Sequence, residues 1–296
     1  MTARPAPGTA RPPVGFITVN YRSARSTEGY LASLAALEGI GQCEVAIVDN
    51  GADAESRAEL GVLAQGYPGR LHLYHLEDNR FYWPGAAFAI ERLYPRPELT
   101  PDWVVVSNND IVIPDRGFVA TLVGYDPERY GVIAPSILST ATGRDQNPFM
   151  RKPMSVVARW KWKAYYTHYV VARSLLALRS LWIGAAEGKG HMGNGGRVTS
   201  PGQEEQIYAP HGACVIFSRA YFQRGGYLDA NFALYGEEIT VAEISRRIGI
   251  TVVYCPRLQV LHHEHAATGR RLTRALYGME REAHRYFTRR YLSSRA

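Results

Sequence analysis

Between residues 14 and 110 the chain repeats one pattern four times: a short apolar run that stops abruptly at a polar break. The runs cover residues 14–20, 43–48, 71–76 and 103–106, and amphipathic stretches at 25–39, 54–66 and 84–94 separate them. Apolar runs of this length read as buried strands, whereas Tyr30, Leu31, Leu34 and Leu37 recur at helical spacing. Strands alternating with helices at this interval imply right-handed βαβ units, hence an α/β fold with a mostly parallel sheet flanked by helices. In such sheets ligands gather beyond the carboxyl ends of the strands. Those ends carry Asn20-Tyr21, Asp49-Asn50 and Asn108-Asn109-Asp110. One such cluster is ordinary turn chemistry. Three at successive strand ends point to a site.

Beyond residue 115 the alternation loosens. A strand is predicted at 130–135, a long helix over 155–182, and a mobile Gly-rich loop at 184–202. Further strands follow at 208–217 and 251–254, with helices at 219–225 and 237–247, the second closed by Gly249, and residues 260–265 end the ordered core. Residues 1–13, rich in Pro, Ala and Arg, read as a flexible start without the apolar core of a signal peptide. No run of 18 apolar residues occurs, so the expectation is a cytoplasmic protein. Cys43, Cys214 and Cys255 lie in apolar surroundings with no CxxC spacing, which predicts buried free thiols rather than a disulfide framework or a zinc site.

Several of these segments resemble a known signature. Val19-Asn20-Tyr21 closes the first strand; Ile47-Val48-Asp49-Asn50 closes the second; Asn79-Arg80-Phe81-Tyr82-Trp83-Pro84-Gly85 is similar to an N-x-G-F-x-G-G segment. The longest match runs from His211-Gly212-Ala213 through Arg219, Gly225-Gly226-Tyr227-Leu228-Asp229, Phe232, Tyr235 and Glu237-Glu238 to Arg246-Arg247 and Gly249. Together they resemble the inverting family-2 glycosyltransferases of the GT-A fold, particularly the bacterial rhamnosyltransferase-like branch, over residues 14–265. The resemblance makes 14–265 the catalytic domain, with 151–203 a variable acceptor-side insertion and loop and 266–296 a basic amphipathic C-terminal helix.

It also implies roles. A UDP- or dTDP-sugar donor would meet Asn20, Tyr21, Asp49, Asn79, Gly85, Asn108, Asn109, Gly212 and Ala213, with Asp49 on the base or ribose. A divalent cation, Mn2+ or Mg2+, would sit on Asp110, and His262 falls where the family has a histidine near the metal or diphosphate. Neighbouring His263 and His265 leave open which ring faces inward. Glu238 stands at the position of the general base, with Glu237 as second choice. The chemistry asks for such a set: an oxygen-rich cation site to neutralise a departing diphosphate, and a base on the opposite face of the anomeric carbon. The chain departs from the pattern in three places. Asn108-Asn109-Asp110 offers one carboxylate, the base position carries Glu rather than Asp, and Ala86-Ala87 replace a usual Asn pair. A catalytically impaired nucleotide-sugar-binding relative, acting as a scaffold or binding protein, is therefore the alternative.

Charge bears on partners. The chain carries a net +7, but residues 151–200 hold nine Lys/Arg against one acid and residues 266–296 eight against two. The acidic remainder holds the candidate site, which argues against nucleic acid as the partner and for a glycan, lipid-linked or small-molecule acceptor. Basic faces rich in Trp and Tyr suit peripheral contact with an anionic membrane, and equally a packed helix or a homodimer contact. No Gly-rich phosphate loop follows the first strand, which disfavours a dinucleotide oxidoreductase and a nucleotidyltransferase.

Overall fold

The computed structural model describes residues 11–174, 203–264 and 273–293. The start of the chain, the Gly-rich loop at 184–202, His265 and Leu272 lie outside the described residues. The first half forms as the alternation requires: β1 (Val14–Asn20), α1 (Ala24–Ala35), β2 (Glu44–Asp49), α2 (Ala54–Gly66), β3 (Arg70–His75), α3 (Tyr82–Leu93) and β4 (Trp103–Asn108). Then come β5 (Ile111–Val112), α4 (Phe118–Val123), β6 (Val132–Ser139), α5 (Val156–Tyr165), β7 (Glu205–Ile207), β8 (Cys214–Ser218), α6 (Arg219–Gln223), α7 (Glu237–Arg247), β9 (Val252–His262) and α8 (Arg274–Phe287).

One sheet joins all nine of these strands in the order β3-β2-β1-β4-β8-β6-β9-β5, with β7 also on β9. The pairings make β1, β2, β3, β4, β6 and β9 run one way, and β5, β7 and β8 run against them. The sheet is thus mostly parallel and flanked by helices. Both faces are covered, so β1 is buried along its whole length. Alternate residues serve alternate layers: Phe16, Val45 and Val105 pack with Tyr30, Leu34 and Leu60, while Ile17, Val48 and Val106 pack with Trp83, Ala86 and Ile90. Cys43, Cys214 and Cys255 are free and buried in this core.

Three boundaries differ from the sequence expectation. The strand expected at 208–217 begins only at Cys214, because Pro210 lacks an N–H for the ladder and Gly212 turns toward α7. The strand expected at 251–254 runs on to His262 as β9, which crosses Pro256 by an irregularity in its pairing with β6 between Pro135 and Ser136. The helix expected over 155–182 is interrupted after Tyr165: Thr167 Oγ1 donates back to the Lys163 carbonyl, His168 Nδ1 accepts from Val170 N, and residues 169–174 are helical again, with 175–182 outside the described residues.

The C-terminal helix α8 is packed on the domain. Ala283, Phe287, Tyr291 and Leu292 enter the core, and Tyr286 and Tyr291 donate hydroxyl bonds to the buried carboxylate of Asp229. Asp229, part of the long motif, thus ties the chain's end to the strand layer. Among the described residues no helix is long and apolar enough to cross a membrane.

Candidate active site

The polar ends of β1, β2 and β4 meet. Asp49 is wholly buried; its Oδ1 accepts from Asn20 Nδ2 at 2.9 Å and from Ser56 Oγ at 2.6 Å, and its Oδ2 lies 2.9 Å from His75 Nδ1. Asn20, also wholly buried, accepts from Thr27 Oγ1 at 3.0 Å. Asn109 Nδ2 donates to Ser23 Oγ and Thr27 Oγ1 at 2.8 and 2.9 Å, pinning the β4 end to the start of α1. Asp49 and Asn20 therefore spend their polar side-chain atoms on one another, on α1, α2 and His75, and Asn109 spends its Nδ2 on the start of α1. The Asp49 carboxylate, with three internal partners, holds His75, whose side chain is 24% exposed, at the rim. Tyr21, 46% exposed, is free to face a ligand.

The segment 79–85 closes the next side. Asn50 Nδ2 donates to the Phe81 carbonyl at 2.8 Å, and Asn79 Oδ1 accepts from Phe81 N at 2.8 Å. Phe81 has φ +66°, a conformation that favours glycine, and it stands where the resembled segment carries its first glycine. The two Asn side chains over-determine the turn and hold Phe81 there. Gly85 is needed for contact: a Cβ would come within 3.2 Å of both Asn50 Nδ2 and Val19 Cγ2.

At the end of β4, Asp110 Oδ1 is buried without a hydrogen-bond partner and lies 3.3 Å from His262 Nε2. Of the candidate histidines, His262 is the one that β9 turns inward; His263 is exposed beside Thr140. Two groups that sequence reasoning missed orient the ring. Gln146 Nε2 donates to Glu264, which leaves Gln146 Oε1 facing His262 Nδ1 at 2.7 Å. A carbonyl oxygen can only accept, so Nδ1 carries a proton and Nε2 is the ring atom turned to Asp110. Gln146 itself is fixed because its N–H donates to the Ile137 carbonyl and Asp145 caps the same turn. Two atoms of metal-ligating type, one of them an orphaned buried oxygen, fit a divalent cation. No group of three His, Cys, Asp or Glu ligands is present among the described residues, so phosphate oxygens and waters would complete its shell. Gln146→Ala frees the ring to rotate, and Mn2+ affinity, read by titration against free Mn2+, is expected to fall about 10- to 100-fold.

The start of α7 carries two adjacent glutamates, Glu237 and Glu238, both half-buried. Removal from water, together with the charge of Glu237, pushes Glu238 up to about 8, and burial raises Glu237 as well. Glu238 Oε1 accepts from Gly212 N at 3.3 Å, and a Cβ on Gly212 would sit 2.6 Å from Glu237 Cγ. Only glycine lets the 211–213 segment pass so close to both carboxylates. Tyr82 Oη donates to the Gly212 carbonyl at 3.1 Å and lies within electrostatic reach of both Glu237 and Asp110.

Residues 211–213 are the hub. Asn108 N donates to the Ala213 carbonyl at 2.9 Å, tying the segment to the metal-side strand. The His211 ring lies 6.2 Å from that of His262, and burial plus that neighbour push its pKa down to about 4. Asp110 and His262 on one side and the glutamate pair on the other are therefore joined through one short segment. Single-sequence patterns could not reveal Gln146, His75 or Tyr82, because their importance lies in contacts between residues 26 to 130 positions apart.

No protein-family model matches the chain. In sequence it is similar to the low-salt glycan biosynthesis hexosyltransferase Agl10 of Haloferax volcanii, with 23% identity over 254 residues, covering 85% of this chain and 67% of Agl10. In fold it is similar to the mannosyltransferase PcManGT from Pyrobaculum calidifontis, solved in complex with GDP-Man and Mn2+, at a TM-score of 0.52 and 16% identity. That match covers 88% of this chain and 59% of PcManGT, so the chain spans under two thirds of that relative. GalNAc-T7 with UDP, GalNAc and Mn2+ gives a TM-score of 0.55 at 12% identity, covering 86% of this chain and 44% of that one. S. aureus TarS gives 0.52 at 12% identity, covering 84% and 36% respectively. The chain thus has sequence similarity to a hexosyltransferase and the fold of known glycosyltransferases.

Proposed function

We propose that this chain is an inverting, metal-dependent glycosyltransferase that moves a sugar from a UDP- or dTDP-sugar, a rhamnose-like deoxyhexose among the candidates, to a hydroxyl acceptor in glycan, glycolipid or glycosylated-metabolite synthesis. One observation carries the reading: the orphaned Asp110 oxygen facing His262 Nε2, with a high-pKa glutamate pair linked to it through residues 211–213. PcManGT with GDP-Man and Mn2+, and GalNAc-T7 with UDP, GalNAc and Mn2+, support a divalent cation beside a nucleoside diphosphate here.

Asp110 and His262 would hold a divalent cation, which neutralises a diphosphate as it leaves. Tyr21, His75 and Asn79 would face the nucleotide, while Asp49, Asn20 and Asn109 keep that rim rigid. Glu238 would take the proton from the acceptor hydroxyl as its oxygen bonds to the anomeric carbon. The bond from that carbon to the diphosphate breaks on the opposite face, and its electron pair leaves with the diphosphate. Gly212 N, bonded to Glu238 Oε1, keeps that carboxylate pointed at the hub. A second reading, binding without turnover, draws on Asn109, whose amide is spent on α1 and leaves Asp110 as the lone carboxylate of its cluster.

A thermal-shift panel of UDP-, dTDP- and GDP-sugars with and without Mn2+ tests both. A ligand at 100 times its Kd adds about 2.7 kcal/mol of stability, so a Mn2+-dependent shift with a UDP- or dTDP-sugar is expected, followed by donor hydrolysis. A shift without hydrolysis or transfer selects the binding relative, and no shift with any donor overturns both.

A further inference from the structure

Thirteen large apolar side chains stand exposed among the described residues, and six of them fall between positions 156 and 171: Val156, Val157, Trp160, Trp162, Val170 and Val171. Helix α5 carries four of the six, and Val170 and Val171 lie beyond its end. Its inner side carries Trp162, Tyr165 and Tyr166, which pack on α8; the Tyr166 and His284 rings are 4.5 Å apart, and Tyr165 meets Tyr277 at 6.2 Å. Val156, Val157 and Trp160, spaced i, i+1, i+4, share the opposite side and are 59%, 64% and 64% exposed. Arg159, Lys161 and Lys163 flank that side, and Lys163 Nζ stands 5.0 Å from the centre of the Trp160 ring. Residues 151–174 hold six Lys or Arg and no Asp or Glu, and among the described residues Arg151 is the one of the six that is ion-paired, to Glu205.

We infer that this outer side of α5 lies on an anionic phospholipid surface. Valines and a Trp set outward between cations are what an interfacial helix presents to the headgroup boundary: the ring and the valines enter the acyl edge, and the cations meet the phosphates. A protein partner fits less well, since protein interfaces are depleted of Lys. The basic C-terminal helix, the other candidate from the sequence, has its apolar side spent inside the domain. Tyr166 lies within electrostatic reach of Tyr235, two residues before Glu237, so α5 stands beside the loop that leads into the glutamate pair. On the glycosyl-transfer reading, on which this step rests, a lipid-linked hydroxyl would then be delivered on the Glu238 side.

The test is co-sedimentation of the full chain with vesicles of phosphatidylcholine alone, or with roughly one third phosphatidylglycerol, in about 0.1 M salt. Neither donor nor divalent cation is present, so the result is independent of turnover. Binding is expected to the anionic vesicles only, and to be lost in about 1 M salt. Each Lys near the surface is worth about fivefold, so Lys161→Gln with Lys163→Gln should weaken binding about 25-fold. Trp160→Ser with Val157→Ser should weaken it about tenfold or more, with an unchanged melting temperature because both side chains are exposed. Equal binding to neutral vesicles, no binding to either, or full binding by both variants overturns the inference. So does a parent dimer that the Trp160→Ser, Val157→Ser variant turns into a monomer, which would give this side to a second copy of the chain.

Discussion

Asp110→Ala is expected to abolish the Mn2+-dependent rise in melting temperature with a nucleotide sugar and to lower turnover by about 10³-fold or more. The size follows from what the residue is asked to do. Stabilising charge on a departing diphosphate is worth several kcal/mol, and each 1.36 kcal/mol is tenfold in rate. Stability should move the other way. In the metal-free protein Asp110 Oδ1 is buried with no hydrogen-bond partner, 3.3 Å from His262 Nε2. A buried polar atom left unsatisfied costs about 1–3 kcal/mol, so removing it should leave the apo protein as stable as the parent or more stable. Loss of function with retained or raised apo stability separates a cation ligand from a structural turn. A variant that keeps the Mn2+-dependent shift would remove Asp110 from the cation site.

The sequence made the first half of the fold legible because its strands are buried on both faces and end where their apolar runs end. Val14–Asn20 forms as expected from the run alone, and Glu237–Arg247 from two acids and a closing glycine. The second half was less legible for physical reasons. Ile111–Val112 and Glu205–Ile207 are too short to show a period, and they exist because β9 offers them an edge. Pro256 signals a break that a pairing irregularity bridges. In the site, residue type at a strand end located Asp110, Asn20 and Asp49, but burial decides which of them face outward. Asp49 ends a strand as a ligand-binding acid would, yet Ser56 and His75 enclose it. Strand alternation, not composition, selects His262 over His263. Gln146 carries no motif at all; it matters because a turn bonded to β6 aims its amide oxygen at a histidine 116 positions away.

Glu238→Gln is expected to lower turnover by about 10²- to 10⁴-fold, the usual contribution of a positioned base, and two further readouts tie that loss to proton transfer. The first is the pH profile. Burial and the charge of Glu237 push Glu238 up to about 8, so the ionised base is scarce at pH 6 and abundant at pH 9. kcat/KM should rise with pH and level off above about 8. Glu237→Gln removes the charge that opposes ionisation, so the midpoint should move down toward the ordinary carboxylate range. The second is stability. The unfolded carboxylate titrates near 4.5 and the folded one near 8. Between those values the folded state binds more protons, so this group favours folding below about 4.5 and loses that contribution as pH rises through about 8. Gln cannot ionise. The melting temperature of Glu238→Gln relative to the parent should therefore climb from about pH 5 to about pH 9, while activity stays low throughout. A flat kcat/KM profile across that window, or a variant with parental turnover, would give the proton to another group. A carboxylate held at such a cost to folding above neutrality, beside a glycine that no larger residue can replace, is what a base kept ready for a hydroxyl proton requires.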